Sequence, residues 1–412
     1  MKNLFLSKKT ILVLIPILSL FLGFLFGEDL STGGATKDFY ATLPAVTDFS
    51  NLVFNTTHHY TRHFPLHYFI LSIPHFIFND VYAIRIVYLF FSLTLPFFVY
   101  LNLCEIYKVS KINNLIISAS LLFLPYFRAS AIWPNAHLTA LIFLVVANFF
   151  YIRSVVSSKF IYKFINIFFL SLSTYCVQSY AIFFLFYLFN YYKNNSKKNF
   201  LRIMMVCFSL SVPGFYLIIN NPFRDGVIGL NFSNNLSYTI ITNLSIIFFF
   251  IIFYLINKSN FSLMKKYFLN LNIYENLILI FLFYLLVLDY KEIGFFYGGG
   301  FFYKMSLFLF QNKLIFFISG FFGFVTCYLF LKNEKKIFYT LVLLNFTSIA
   351  YYTSQKYFEP LLIISILIFH QNFLSRNIIN DFKNILTFYT LFFAYFVIAT
   401  INSIYGLSKL AA

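Results

Sequence analysis

Apolar runs broken by short polar stretches recur along this chain from residue 10 to residue 402. The hydrocarbon core of a bilayer asks for about 20 apolar residues per helix. Segments of that character lie near 10–26, 82–103, 112–127, 137–152, 162–176, 178–192, 200–219, 237–257, 275–289, 313–331, 337–350, 357–371 and 384–402. The pattern predicts an all-α fold, a polytopic transmembrane helical bundle of roughly 11–14 spans. It predicts one transmembrane domain over 1–412 with no separate soluble domain, because no loop is long enough to fold alone.

Two stretches depart from the pattern. Residues 65–79 are apolar but short and carry Pro65 and Pro74. They read as an interfacial or re-entrant segment rather than a span. Residues 38–54 place Phe39, Leu43, Val46, Phe49 and Val53 at helical spacing, which predicts a short amphipathic helix lying on the membrane surface.

Composition agrees with the pattern. Hydrophobic residues make up 60% and charged residues 10% of the chain, too few polar groups to cover a soluble fold of this size. The formal charge of +17 does not point to nucleic acid, because Lys and Arg are spread over short loops rather than gathered in a patch. Cys104, Cys176, Cys207 and Cys327 lie in or beside apolar runs without CxxC spacing, as buried free thiols do.

Charge also orients the chain. Lys2, Lys8 and Lys9 place the N-terminus on the cytoplasmic side. If 65–79 stays at the outer face, the basic loops around Lys108, Lys159, Lys197, Lys265, Lys335 and Lys383 all fall inside. Most carboxylates, Glu28, Asp29, Asp38, Asp48 and Asp80 among them, then fall outside. An outward-facing polar site and an ordinary solvated loop both account for that bias.

The outer loop 27–81 carries the densest chemistry: four carboxylates before residue 50 and a cluster of His59, His63 and His67. The fourfold histidine spacing suits a metal on one helix face, but Pro65 interrupts that helix. No metal is therefore assigned, and hydrogen bonding or phosphate contact is the better reading. Further on, Arg128 and Trp133 lie at an outer helix end, and Lys356 and Glu359 border a late apolar run. Ionisable groups in such places line cavities or pair with each other.

Asp38-Phe39-Tyr40-Ala41 resembles the acidic D-E-x-x-Y-A motif of the GT-C superfamily of integral membrane glycosyltransferases. His63-Phe64-Pro65-Leu66-His67-Tyr68 is similar to the H-x-P-P-L-x-Y motif that follows in enzymes such as protein O-mannosyltransferases and aminoarabinose transferases. The acidic motif is shortened here, one proline is missing, and the likeness covers about residues 1–135. It implies transfer of a sugar from a polyprenyl-phosphate donor to a glycan, lipid or protein acceptor, with inversion at the anomeric carbon. The implied setting is the outer face of a bacterial inner membrane, in cell-envelope synthesis. Membrane lipid is the other partner, and no cofactor is implied beyond the donor.

Such a reaction needs a base for the acceptor hydroxyl and cations for the leaving phosphate. Asp38 is the expected base, with Asp29 second and Glu28 a competitor. Arg128 and Lys356 are expected at the phosphate, helped by Arg62 or His63, with His67 and Glu359 among the substrate-binding residues. A lipid or polysaccharide transporter or flippase is the alternative. It would show repeated halves and charges at mid-membrane, whereas the charges here sit at helix ends and no repeat is visible.

Overall fold

A computed structural model describes residues 8–31, 33–54, 63–220, 236–291, 300–347 and 355–405. Among these residues the fold is helical, with no strand. Six helices or helix pairs among the described residues are long and apolar enough to cross a membrane: 81–106, 136–157, 197–217, 236–255, 314–333 and 382–405. Three further pairs are sharply bent, and counting each as one span raises the total to nine. The sequence expectation was higher because it also counted α1 (Lys8–Leu25), α10 (Phe160–Cys176), α11 (Phe183–Asn194) and α18 (Lys335–Thr347). These helices have only 12 to 18 residues, and at 1.5 Å per residue the longest rises about 27 Å.

Contacts divide the chain into two compact units, one of residues 1–108 and 118–229, the other of 109–117 and 230–412. In the first unit, α1 leads into α2 (Gly34–Thr47), α3 (Phe49–Phe54) and α4 (Leu66–Phe78). Asp80 then accepts hydrogen bonds from the backbone N–H groups of Tyr82 and Ala83 and starts α5 (Val81–Ser92), which continues as α6 (Thr94–Ile106). The 13 residues of α4 form the short helix that the outer segment predicts, and α2 and α3 cover most of the predicted amphipathic stretch. The apolar side of α2 does not lie open to lipid, however. Phe39, Ala45 and Val46 are buried, and Phe39 packs on Trp133.

A polar ladder joins the helices of this unit. Asn102 on α6 donates to the Val145 carbonyl of α9 (Ala136–Ser157), and Asn148 donates back to Asn102 Oδ1 at 2.9 Å. Tyr187 of α11 donates to Asn148, while Asn166 and Ser173 of α10 donate to the Ala147 and Ala140 carbonyls. Hydrocarbon offers no competing partner, so such bonds act as interhelical glue. The last helix of the unit, α12 (Lys197–Asn220), contains Pro213. Tyr175 Oη donates to the Leu210 carbonyl at 2.6 Å and accepts from Gly214 N–H at 2.9 Å. One hydroxyl thus bridges the two backbone groups that an unbroken helix pairs with each other across the proline.

The second unit is built around α13 (Leu236–Leu255), the most buried of the six spans. It packs on α17 (Leu314–Asn333) through small residues. Ser245 and Ser319 share a hydrogen bond of 2.7 Å, and a Cβ at Gly323 would overlap the Leu244 carbonyl. Backbones approach this closely only where side chains are small. Around this pair lie α14 (Lys258–Leu269) and α15 (Ile273–Leu288), bent by 98°, and α19 (Glu359–Ile368) and α20 (Phe373–Ile379), bent by 84°. The unit also contains α16 (Gly300–Phe310), α18 and α21 (Phe382–Tyr405).

Its contacts separate two ends. Lys332 pairs with Glu275 at 2.7 Å, Tyr267 with Glu334, and Asn377 with Asn260. Asn113 reaches the Ile379 carbonyl at the same end. Ser237 and Asp289 meet at the other end, as do Gln355 and Phe301. The basic loops assigned to one side of the membrane therefore gather at one end of this unit, as a consistent two-sided topology requires.

Candidate functional site

The polar groups of the first unit concentrate where α1 ends and α8 (Pro125–Ile132) and α9 begin. Pro125 opens α8 after a bend of 71° from the run that begins with α7 (Lys111–Ser120), which carries Arg128 toward the end of α1. Arg128 is fully buried. Its Nε donates to Glu28 Oε1 at 2.7 Å and its Nη2 to Glu28 Oε2 at 2.9 Å. Nη1 donates to Ser19 Oγ and to the Leu122 carbonyl, and Nη2 also reaches the Ser19 carbonyl. All five guanidinium donors are engaged within the protein. This corrects the expectation that Arg128 neutralises a leaving phosphate, because no N–H remains for a ligand. Glu28, a competitor for the role of base, is held as the partner carboxylate of the same pair.

The other carboxylates of the loop separate by environment. Asp29 accepts from the N–H and hydroxyl of Ser31 and from the N–H and hydroxyl of Thr36, the last two at 2.8 and 2.7 Å. It ties the turn after α1 to the first turn of α2, a capping role. Asp38 lies in α2 with its side chain exposed. It is one residue from Phe39, which contacts Trp133.

Trp133 is buried rather than a member of an interfacial belt. Its Nε1 donates to the Glu28 carbonyl at 3.0 Å, and Phe39 and Tyr40 pack on its ring. The Arg85 guanidinium stacks over that ring at 3.6 Å. Arg85 had no place in the sequence expectation. The available signal was a lone cation inside the apolar run of α5.

The histidines divide as well. His67 is buried, and its Nδ1 lies 2.8 Å from Thr139 Oγ1. Tyr88 Oη donates to the Asn135 carbonyl at 2.9 Å and lies 2.8 Å from the same Thr139 hydroxyl. Thr139 Oγ1 thus joins His67 and Tyr88 and also reaches the Asn135 carbonyl at 3.4 Å. Burial, with His63 nearby, pushes the His67 pKa down to about 3, so the ring is neutral and brings no charge to a phosphate. His63 is half-buried and meets His137, at the start of α9, edge-on with ring centroids 5.0 Å apart. Arg62 and His59 lie outside the described residues. Among the described residues no group of three or more His, Cys, Asp or Glu is placed to hold a metal ion.

Phe64, next to His63, lines an apolar groove of about 640 Å³. Tyr175, Gln178, Phe184, Cys207 and Phe215 of α10–α12 and their connecting turn form other parts of its wall. The Tyr175 bridge across Pro213 is therefore part of the groove.

In the second unit, Glu359 is fully buried at the start of α19 and accepts from Tyr395 Oη at 2.6 Å. Gln355 donates to Tyr395 Oη, and its own Oε1 accepts from Phe301 N–H. Lys356 is half-buried in the 3-10 turn just before α19. No protein family, curated protein or solved structure matches this chain.

Proposed function

We propose that this protein is a membrane glycosyltransferase that moves a sugar from a polyprenyl-phosphate donor to an acceptor hydroxyl at the end of the first unit where α2 and α4 lie. The observation that carries this reading is the apolar groove of about 640 Å³ whose wall includes Phe64, the neighbour of His63. An isoprenoid chain needs an apolar furrow between helices, and its phosphate needs polar donors where the furrow ends. The groove supplies the first requirement. His63, with His137 beside it, is the described candidate for the second.

The chemistry balances without a further reactant. The acceptor oxygen bonds to the anomeric carbon as the bond from that carbon to the phosphate oxygen breaks. The pair of electrons leaves with the polyprenyl phosphate, and the acceptor proton passes to the Asp38 carboxylate. Asp38 is suited to this step by its exposure on α2.

The test is donor consumption by the full chain in phosphatidylcholine vesicles supplied with radiolabelled polyprenyl-phosphate hexose and membrane extract as acceptor. Transfer that requires Asp38 supports the reading. An intact protein that leaves every donor of this class untouched overturns it.

A further inference from the structure

We propose that the outer edge of the Arg85 guanidinium, pinned between Trp133 and Phe24, is an oxyanion-binding fork that takes a phosphate group at the membrane surface. The inference does not rest on sugar transfer.

Three contacts hold Arg85 without using its outer edge. Its Nε donates to the Ile132 carbonyl at 3.1 Å. One face lies 3.6 Å from the Trp133 ring centroid, and the Phe24 ring lies 5.1 Å away. Stacking on an aromatic face attracts the cation but occupies no N–H. What remains is the edge formed by Nη1 and Nη2. The Nη2 atom is buried and meets no acceptor.

The contrast with Arg128 shows why this is unusual. Both arginines belong to the same end of the unit, linked through Trp133 and Glu28, and Glu28 is forked by Arg128. Among the described residues Arg85 has no ion pair. A buried guanidinium nitrogen without an acceptor is costly, a cost that a phosphate oxygen accepting from it removes. Two parallel N–H groups match two oxygens of a phosphate. Arg85 also lies about one turn into α5, near the end of a helix long and apolar enough to cross a membrane. The exposed rings of Tyr40 and Tyr82 lie beside this end of the helix. The phosphate can come from a lipid headgroup, an isoprenoid phosphate or solution.

The protein contains its own reporter, because Trp133 is the sole tryptophan. Full-length protein in dodecylmaltoside, in a phosphate-free buffer, is titrated with inorganic phosphate against sodium chloride at equal ionic strength. Parallel titrations use decaprenyl phosphate and phosphatidylglycerol. A saturable change in Trp133 emission is expected with at least one of the three, absent with chloride. Its midpoint should weaken roughly tenfold or more in Arg85→Gln, as loss of a charge-assisted fork implies, and less in Arg85→Lys. The ligand with the lowest midpoint identifies the source. Lack of a saturable change in the wild-type protein overturns the proposal, and this decides the matter even if neither variant folds. An unchanged midpoint in a monodisperse Arg85→Gln protein also overturns it. Because no sugar is transferred in this experiment, its failure is distinct from failure of the glycosyltransferase reading.

Discussion

Arg128 grips Glu28 through two parallel hydrogen bonds, Nε to Oε1 at 2.7 Å and Nη2 to Oε2 at 2.9 Å, with the arginine entirely removed from solvent. Gly23 on α1 makes room for the pair, because a Cβ there would lie 2.7 Å from Arg128 Nη2 and 2.8 Å from Glu28 Oε2. Removing one partner of a buried pair leaves the other uncompensated. Arg128→Gln and Glu28→Gln should each destabilise the protein by about 3–5 kcal/mol. The double replacement should cost less than the sum of the two, and Gly23→Ala should weaken the same pair. Thermal unfolding of the four variants in detergent checks this, and additive losses would mean that the pair is not a coupled unit.

In the second unit, Gly323 allows α13 and α17 to touch through backbone. Gly323→Leu forces the helices apart and should abolish a stable fold, whereas Ser319→Ala removes two hydrogen bonds, to Ser245 and to the Phe316 carbonyl, and should cost only about 1–3 kcal/mol. Yield and melting temperature separate the two outcomes. Equal tolerance of both would argue against close packing here.

Tyr175→Phe keeps the ring in the groove wall but removes the hydroxyl that bridges Leu210 and Gly214. The backbone groups beside Pro213 then lose a partner in apolar surroundings, at a cost of about 1–3 kcal/mol. The melting temperature should fall, and hydrogen exchange should rise locally around Gly214. Unchanged exchange would show that the bridge contributes nothing to α12.

Asp38→Asn replaces an exposed carboxylate and should leave stability within about 0.5 kcal/mol of the wild type. If Asp38 is the base, transfer falls by roughly 10²–10⁴-fold. Asp29→Asn should behave in the opposite way. An amide facing the N–H and hydroxyl of Thr36 costs about 1–3 kcal/mol of stability, with transfer reduced only as far as folded protein is lost. A large loss of transfer at Asp29 in well-folded protein would exchange the two assignments.

The 13 residues of α4 rise about 20 Å, too little to cross the bilayer. Single cysteines at positions 48 and 80, in a cysteine-free background, should both react with an impermeant maleimide from the outer side. A cysteine at position 336 should react only from the inner side. Opposite accessibility of 48 and 80 would mean that α4 crosses.

Helix positions were largely legible from the sequence, because spacing of apolar residues and length are local properties that a bilayer reads directly. The shortness of 65–79 and the helical character of most of 38–54 followed from the same kind of local information. Which polar groups meet did not. Glu28 and Arg128 are 100 residues apart, and Arg85 and Trp133 are brought together from α5 and the end of α8. A charge read alone can serve a ligand or a partner; only the packed helices decide which. Packing closed every donor of Arg128 and left the outer edge of Arg85 without an acceptor. It turned the apolar side of α2 inward onto Trp133 and kept Asp38 in the open.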